Sequence, residues 1–291
     1  ANMARRLRRA EVPLVAFNRS EAVTRRLGDE TGLIVATSLG DLIAQLAPPR
    51  VVWLMLPAGD ITEAHIGEAA SLLTPGDVLV DGANSYYKDS VRRGRMLDAR
   101  GLQYVDAGVS GGVWGLENGY AMMVGGTEAA FRVVEPYIKV LAPGADRGWL
   151  HCGPVGSGHF VKMIHNGIEY GMMQAMAEGF ALMRNKTEFD LDLAGIAEMW
   201  RHGSVVRSWL LDLTADFLQQ DQSLDLIDGY VADSGEGRWT ALEAVEQGVP
   251  APVMTLALME RFASQGSADF ANKVLAMMRK GFGGHAVKGQ E

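Results

Sequence analysis

A chain of 291 residues, 48% hydrophobic and 21% charged, is long enough for one large globular domain or two ordinary ones. The formal charge is −8 with no lysine-rich or arginine-rich tail, which argues against a nucleic-acid partner. No apolar run approaches bilayer length, no leader pattern is visible, and the single cysteine, Cys152, cannot form an intrachain disulfide; a cytoplasmic protein with no membrane partner is expected.

Residues 1–7 read as helix with no start signal before it. Residues 12–17 read as a short strand, with Pro13 near its start where a missing donor is least harmful. Then follow a helix at 21–28, a strand at 33–36 and a helix at 41–46. Pro48-Pro49 breaks the chain, and 51–56 is a continuous apolar run of the kind a buried parallel strand gives. Next come a helix at 60–73, a strand at 78–80, and a helix at 88–100 closed by Gly101 as C-cap. Strands at 104–107 and 120–124, a helix at 128–141 and a strand at 149–152 complete the alternation. It predicts an α/β domain over residues 1–155, a Rossmann-like doubly wound, mostly parallel sheet with helices on both faces. From residue 156 the β signals fade. Helical patterns at 157–186, 190–201, 207–220, 239–247, 252–264 and 268–280 predict an all-helical domain over 156–291. Its last eleven residues, rich in glycine, should lack regular structure.

Ligands of such sheets bind at the carboxyl ends of strands. Three loops there stand out: 18–20, 81–85 and 108–112. After the strand ending at Phe17 come Asn18, Arg19 and Ser20. An acidic side chain there would bond a free ribose 2′-hydroxyl, whereas an arginine accommodates a 2′-phosphate, so these residues favour NADP over NAD. The competing reading is an exposed turn with Asn18 as a helix N-cap. Ser110, Gly111 and Gly112 let a ligand approach the backbone and offer N–H donors to an anion, and Asn84-Ser85 ends a neighbouring strand. Plain tight turns fit both places equally well. A Rossmann unit should open with a strand, G-x-G-x-x-G and a helix. This chain starts inside that helix, so the first strand and glycine-rich loop are expected to be absent from it, and with them the cradle for a pyrophosphate.

The longest element is 157–186, enough for about eight helical turns. Most of it is apolar and should be largely buried. Yet Lys162, His165, Asn166, Glu169 and Tyr170 recur at helical spacing and share one face. Such a stripe must pair internally or meet a polar ligand, and spacing alone divides evenly between an ion-paired face and a site. Arg238 and Thr240 sit on a flexible loop that opens a helix, Arg207 starts another, and Arg279 and His285 flank the tail. Arginines suit phosphate and carboxylate, although each of these taken singly reads as surface charge. There is no G-x-S-x-G elbow and no H-E-x-x-H pair, and no metal is expected.

The run V-K-M-I-H-N-G-I-E-Y-G at 161–171 resembles the signature of decarboxylating 6-phosphogluconate dehydrogenases. D-A-G-V-S-G-G at 106–112, D-G-A-N-S at 81–85, D-S-G-E-G-R-W-T at 233–240 and F-G-G-H at 282–285 resemble that family in the same order, and the length resembles its short form. The resemblance implies roles. Lys162 would take the proton from the substrate 3-hydroxyl as hydride leaves for NADP, or for NAD as the alternative. The 3-keto acid would lose carbon dioxide, with the protonated Lys162 polarising the ketone. Glu169 would protonate C1 of the enediol, giving ribulose 5-phosphate. His165 and Asn166 would hold substrate hydroxyls and place the nicotinamide. Ser110, Gly111 and Gly112 would bind the carboxylate end of 6-phosphogluconate, and Asn84 would serve both substrate and coenzyme. Tyr170, Arg207, Arg238 and Thr240 would hold the phosphate. Arg279 and His285 match tail residues that reach a neighbouring subunit, implying a homodimer that could pair into a tetramer. A lysine base needs a lowered pKa, which burial in an apolar helix would supply, and a glutamate acid needs a raised one. Three departures stand beside these matches: Glu11-Val12 replaces a frequent Gly-His, Arg238 replaces lysine, and Asn18 stands where NAD-preferring short forms often carry Asp. The competing functions are a related β-hydroxyacid dehydrogenase for a smaller acid without phosphate, and a truncated, non-catalytic homologue.

Overall fold

The computed structural model describes residues 1–283 and Val287. Contacts divide the chain into two compact units, Ala1–Ile164 and His165–Glu291. The first unit runs α1 (Asn2–Arg9), β1 (Val15–Ala16), α2 (Glu21–Thr31), β2 (Ile34–Val35), α3 (Leu39–Ala44), β3 (Val51–Leu54), α4 (Asp60–Leu72) and β4 (Val78–Asp81). It continues with α5 (Tyr87–Asp98), β5 (Gln103–Ser110), a 3₁₀ turn at Gly112–Trp114, α6 (Gly115–Asn118), β6 (Ala121–Gly126), α7 (Glu128–Leu141) and β7 (Trp149–Gly153).

All four residues of β4 are buried, as a strand covered on both faces requires. Successive side chains of a strand alternate between faces. Val78 and Val80 turn with Val105 and Ala107 towards Phe131, Val134 and Ile138 of α7. Leu79 and Tyr104 turn the other way, towards Ile66 and Ala69 of α4 and Leu97 of α5. Helices therefore cover both faces, as the alternation predicts. The ends of these helices follow local chemistry. Thr127 Oγ1 accepts the Ala130 N–H at 3.1 Å and starts α7. Gly101, at φ +73°, stops α5 with the paired bonds Leu102 N–H to Leu97 O and Gly101 N–H to Asp98 O.

The strands form two sheets, β1-β2 and β3-β4-β5-β6-β7. β1 and β2 are parallel, as are β3, β4 and β5, while β6 runs antiparallel to β5 and β7 parallel to β6. The reversal at β6 has a simple cause. Only ten residues, 111–120, join β5 to β6, and a parallel crossover needs about a dozen or more. That segment carries the 3₁₀ turn and α6, neither of which the periodicity predicts.

α8 (Ser157–Asn185) begins in the first unit and continues into the second, which adds a 3₁₀ turn at Thr187–Phe189, α9 (Leu193–Arg201), α10 (Trp209–Gln220), α11 (Glu236–Gln247), α12 (Pro252–Ser264) and α13 (Asp269–Gly283). Met176, Phe180 and Met183 of α8 pack on Leu193 and Ala197 of α9 and on Leu211, Ala215 and Leu218 of α10. The expectation of a largely buried α8 is not met. Ile168 is 51% exposed, Met172 41% and Leu182 74%. The helix commits one side to its neighbours and leaves apolar residues of another side uncovered in the single chain. Two local expectations also change. α11 starts at Glu236, so Arg238 and Thr240 lie in its first turns, not on a flexible loop. α13 extends to Gly283, into the segment expected to lack regular structure.

Candidate active site

In the first unit the loops after β1, β4 and β5 hold the expected residues. Asn18, Arg19 and Ser20 are exposed. Ser20, not Asn18, occupies the N-cap of α2, and Asn18 Nδ2 makes only a 3.4 Å contact with Ser20 O. Among the described residues Arg19 pairs with no carboxylate, which leaves its guanidinium available to an incoming anion.

Asn84 sits at φ +52°, a left-handed conformation that asparagine tolerates better than most residues. Its side chain reads the backbone of β5 in both directions: Val109 N–H donates to Oδ1 at 2.9 Å, and Nδ2 donates to Val109 O at 3.2 Å. The amide therefore clamps the end of β5, just before Ser110. Gly111 and Gly112 follow at φ +135° and +51°. At Gly112 the space a Cβ would fill is open, so the backbone there is approachable.

The first turn of α8 is set hard against the sheet. A Cβ added at Gly158 would lie 2.5 Å from the carbonyl oxygens of Asp106 and Met123. The buried Asp106 carboxylate accepts the N–H of Gly156 at 2.6 Å and of His159 at 2.8 Å, satisfying donors that a helix start leaves open and placing negative charge at the positive end of the helix dipole. Lys162, one turn further on, is only 5% exposed. Its stem crosses the backbone of Gly108, where a Cβ would fall 2.4 Å from Lys162 Cβ. Behind this surface lies a buried ionic cluster. Asp81 accepts from Arg93 at 3.0 Å, Tyr104 at 2.8 Å and Ser85 at 2.9 Å. Arg93 Nε also reaches Glu63 at 2.7 Å. Burial, and then the Asp81 and Asp106 charges, push the Tyr104 phenol well above its usual range, so it stays a donor. The Arg92 and Arg93 guanidiniums lower the Glu63 carboxyl to about 2 against the opposing effect of burial.

The second unit carries the rest of the stripe. His165 Nδ1 lies 2.9 Å from Asn166 Oδ1 and 3.8 Å from Glu169 Oε2. Glu169 is partly exposed, its side chain at 38%, so the burial expected around it is not there. Tyr170 is buried but keeps its hydroxyl within 3.1 Å of Ser234 Oγ, and it accepts the Ser234 N–H at 3.3 Å. Asp233 joins this corner to Arg238, which donates from Nε at 2.9 Å and Nη2 at 2.7 Å. Burial acts to raise the Asp233 carboxyl, but the Gly235 N–H and Arg238 outweigh it and hold it below the usual carboxylate range.

Arg261 of α12 is a cation that periodicity does not single out. Its guanidinium stacks 3.4 Å from the Tyr170 ring centroid and donates to Ala232 O at 2.7 Å. Tyr170, Ser234, Arg238 and Arg261 thus gather in one corner. Thr240 is buried beneath it: its hydroxyl donates to Glu236 O at 2.9 Å, and its methyl carbon would meet a Cβ at Gly167. Arg207 lies in the exposed turn before α10, its N–H on Ser204 O, outside these contacts. Arg279 is exposed on α13, and His285 lies outside the described residues. Asp106, His159, Ser90 and Arg261 are the residues the sequence reading misses. Asp106 stands inside a glycine-rich run whose small residues drew attention away from it, and His159 precedes the polar stripe by one turn.

Comparison with known proteins identifies both halves of the chain. The family model described as the NAD binding domain of 6-phosphogluconate dehydrogenase matches residues 1–153, and that of the 6-phosphogluconate dehydrogenase C-terminal domain matches 158–284. The Bacillus subtilis protein YqeC, named as a candidate 6-phosphogluconate dehydrogenase, is 44% identical over 87% of this chain and 84% of its own length. A Haloferax volcanii protein named as the NAD(+)-dependent, decarboxylating enzyme is 41% identical over 94% of this chain and 90% of its own length. The Plasmodium falciparum 6-phosphogluconate dehydrogenase structure superposes over the whole of this chain and 64% of its own, with a TM-score of 0.83 and 28% identity. With a lysine-to-tyrosine stripe on one helix and both halves of the chain matched in order, the chain belongs to the 6-phosphogluconate dehydrogenase family.

Proposed function

We propose that this protein oxidatively decarboxylates 6-phosphogluconate to ribulose 5-phosphate and carbon dioxide, with NADP as its preferred hydride acceptor. The observation that carries the reading is the set of groups along one unbroken helix: Lys162, then His165 and Asn166, then Glu169, then Tyr170, stacked on Arg261 and joined through Asp233 to Arg238. One helix thus offers a buried amine as base, a partly exposed carboxyl as acid, and cations for a phosphate beside its tyrosine. The bound nicotinamide supplies a two-electron acceptor for the hydride on C3. Lys162 takes the 3-hydroxyl proton as that hydride leaves. When the C1–C2 bond breaks and carbon dioxide departs, the electron pair runs to the C3 oxygen, which recovers the proton from Lys162. Glu169 then delivers a proton to the carbon that lost the carboxylate while Lys162 takes back the proton of the C3 hydroxyl, so that the ketone of the product forms. His165 and Asn166 hold hydroxyls, Ser110 with Gly111 and Gly112 receives the carboxylate end, and Tyr170, Arg238 and Arg261 face the phosphate. Arg19 fits a 2′-phosphate, since it is exposed and has no carboxylate partner among the described residues.

A smaller acid without phosphate would leave the Tyr170–Arg238–Arg261 corner without a role, which disfavours that alternative. The natural form is a homodimer: Ile168, Met172 and Leu182 of α8 are exposed, and a groove of about 520 Å³ lined by Met173, Phe180, Leu213 and Phe217 opens nearby in the same unit. Apolar surface of this extent is expected to be covered by a second copy. Among the described residues no helix is long and apolar enough to cross a membrane. Steady-state assays with 6-phosphogluconate and each coenzyme, together with carbon dioxide release, test the reading. Turnover with release of carbon dioxide, faster with NADP, is expected; no turnover with either coenzyme overturns it.

A further inference from the structure

The chain of hydrogen bonds behind Lys162 has a direction that the groups themselves impose. It starts at Asp81, a fully buried carboxylate held by Arg93. A carboxylate paired with a guanidinium can only accept, so Tyr104 spends its single O–H on Asp81 Oδ2 at 2.8 Å. The Tyr104 oxygen can then only accept, and its further side-chain partner is the Ser90 hydroxyl. Ser90, buried on α5, spends its own O–H there, so towards its other neighbour it too can only accept. That neighbour is His159 Nδ1, at 2.7 Å. Nδ1 must therefore carry the proton.

A second observation leads to the same place. His159 is 1% exposed and its Nε2 is buried with no hydrogen-bond partner. A buried N–H without an acceptor is rarer and more costly than a bare lone pair, so the proton belongs on Nδ1. We infer that His159 is a positioning residue for Lys162, held as its Nδ1–H tautomer by a one-way chain through Ser90 and Tyr104 to Asp81. The consequence is geometric. The Asp106 carboxylate fixes the backbone of the first turn of α8, at Gly156 and His159. The Ser90 contact fixes the rotation of that turn through the side chain. Lys162 lies three residues on, on the same side of the helix, with its stem against Gly108. All of these groups belong to the first unit.

The inference rests on the proposed role of Lys162 for its kinetic consequence, but not for the tautomer, so the two can fail separately. With ¹³C,¹⁵N-labelled protein, nitrogen NMR of the full chain, the His159 ring assigned through its own Cβ and backbone resonances, should show the His159 Nδ1 protonated and Nε2 bare. Asparagine places an N–H donor near the Nδ1 position, glutamine near Nε2. His159→Leu should lose about tenfold to a hundredfold in kcat with KM for 6-phosphogluconate little changed. His159→Asn should recover most of that loss, His159→Gln should not, and Ser90→Ala should weaken the preference for Nδ1–H. A proton on Nε2 of the wild-type protein overturns the inference even if no variant folds. So does wild-type kcat in a folded His159→Leu, or equal rescue by asparagine and glutamine. Should the tautomer be as stated while Lys162→Met retains full turnover, it is the function of Lys162 that fails.

Discussion

Gly108→Ala inserts one carbon where the stem of Lys162 lies. The new Cβ would fall 2.4 Å from Lys162 Cβ, 3.0 Å from its Cγ and 3.1 Å from the Gly158 carbonyl oxygen, whereas ordinary contact begins at 3.4 Å. The lysine stem must therefore retreat by about 1 Å. Neither side yields cheaply. β5 is held between β4 and β6, and the start of α8 is tied to Asp106. Overpacking of this kind costs about 1–3 kcal/mol, and in a unit of this size each kcal/mol lowers Tm by roughly 2–4 °C. The rate should suffer more than the stability, since a 1 Å misplacement of a reacting group costs on the order of a hundredfold. Because Lys162 acts on the bond being broken, the loss should fall on kcat more than on KM. Thermal melts and steady-state kinetics on the purified variant measure both. Gly67→Ala is the control: Gly67 is exposed within α4 with nothing within 4 Å of an added Cβ, and this change should add about 0.5–1 kcal/mol. Wild-type kcat and Tm in Gly108→Ala would refute the close approach of Lys162 to β5 and the positioning argument built on it.

Lys162→Met should leave a folded protein that neither reduces coenzyme nor releases carbon dioxide; turnover at the wild-type rate would remove Lys162 from the chemistry. Arg19→Ala should raise KM for NADP about tenfold or more while leaving NAD almost untouched, because charge-assisted bonds contribute roughly 1.5–3 kcal/mol; an unchanged coenzyme ratio would show that Arg19 does not meet the 2′-phosphate. The Glu63 carboxyl, ordinarily near 4.5, is held at about 2 when folded. A depressed carboxylate contributes stability that is complete above its unfolded value and is lost as pH falls through its folded value. Glu63→Gln should therefore be less stable than wild type at neutral pH, with the gap closing between about pH 4.5 and 2; denaturant midpoints across that window that stay parallel would contradict the Arg92–Glu63–Arg93 pairing. Leu182→Glu, on the exposed apolar face of α8, should shift the protein towards monomer in sedimentation experiments, and an unaltered assembly would mean that this face is not where two copies meet.

Local chemistry made much of this protein legible in its sequence. The bounds of α7 follow from a threonine cap and an amphipathic run, and α5 stops at the glycine that supplies a left-handed turn. The stripe from Lys162 to Tyr170 follows from helical periodicity alone, because residues three and four apart must share a face. What periodicity cannot tell is what covers a face. An apolar residue reads the same whether its own chain or another copy buries it, which is why α8 looks enclosed in sequence and is half bare in the folded chain. Nor does a strand's composition record its direction. β6 runs antiparallel because ten residues cannot make a crossover, a constraint on chain length rather than on residue type.

Tertiary structure alone decided which polar groups are spent and which remain available. Asn84 stands in its loop with each end of its amide tied to Val109, 25 residues away, and one N–H and one lone pair beyond those bonds. Thr240 is likewise committed beneath the corner where Arg261 arrives from α12. His159 obtains its orientation from Asp81, 78 positions earlier, through two intervening hydroxyls. Such bonds join groups that are distant along the chain, and hydrogen bonding is directional. Sequence therefore determines which donors and acceptors exist, while only the fold determines which of them face each other.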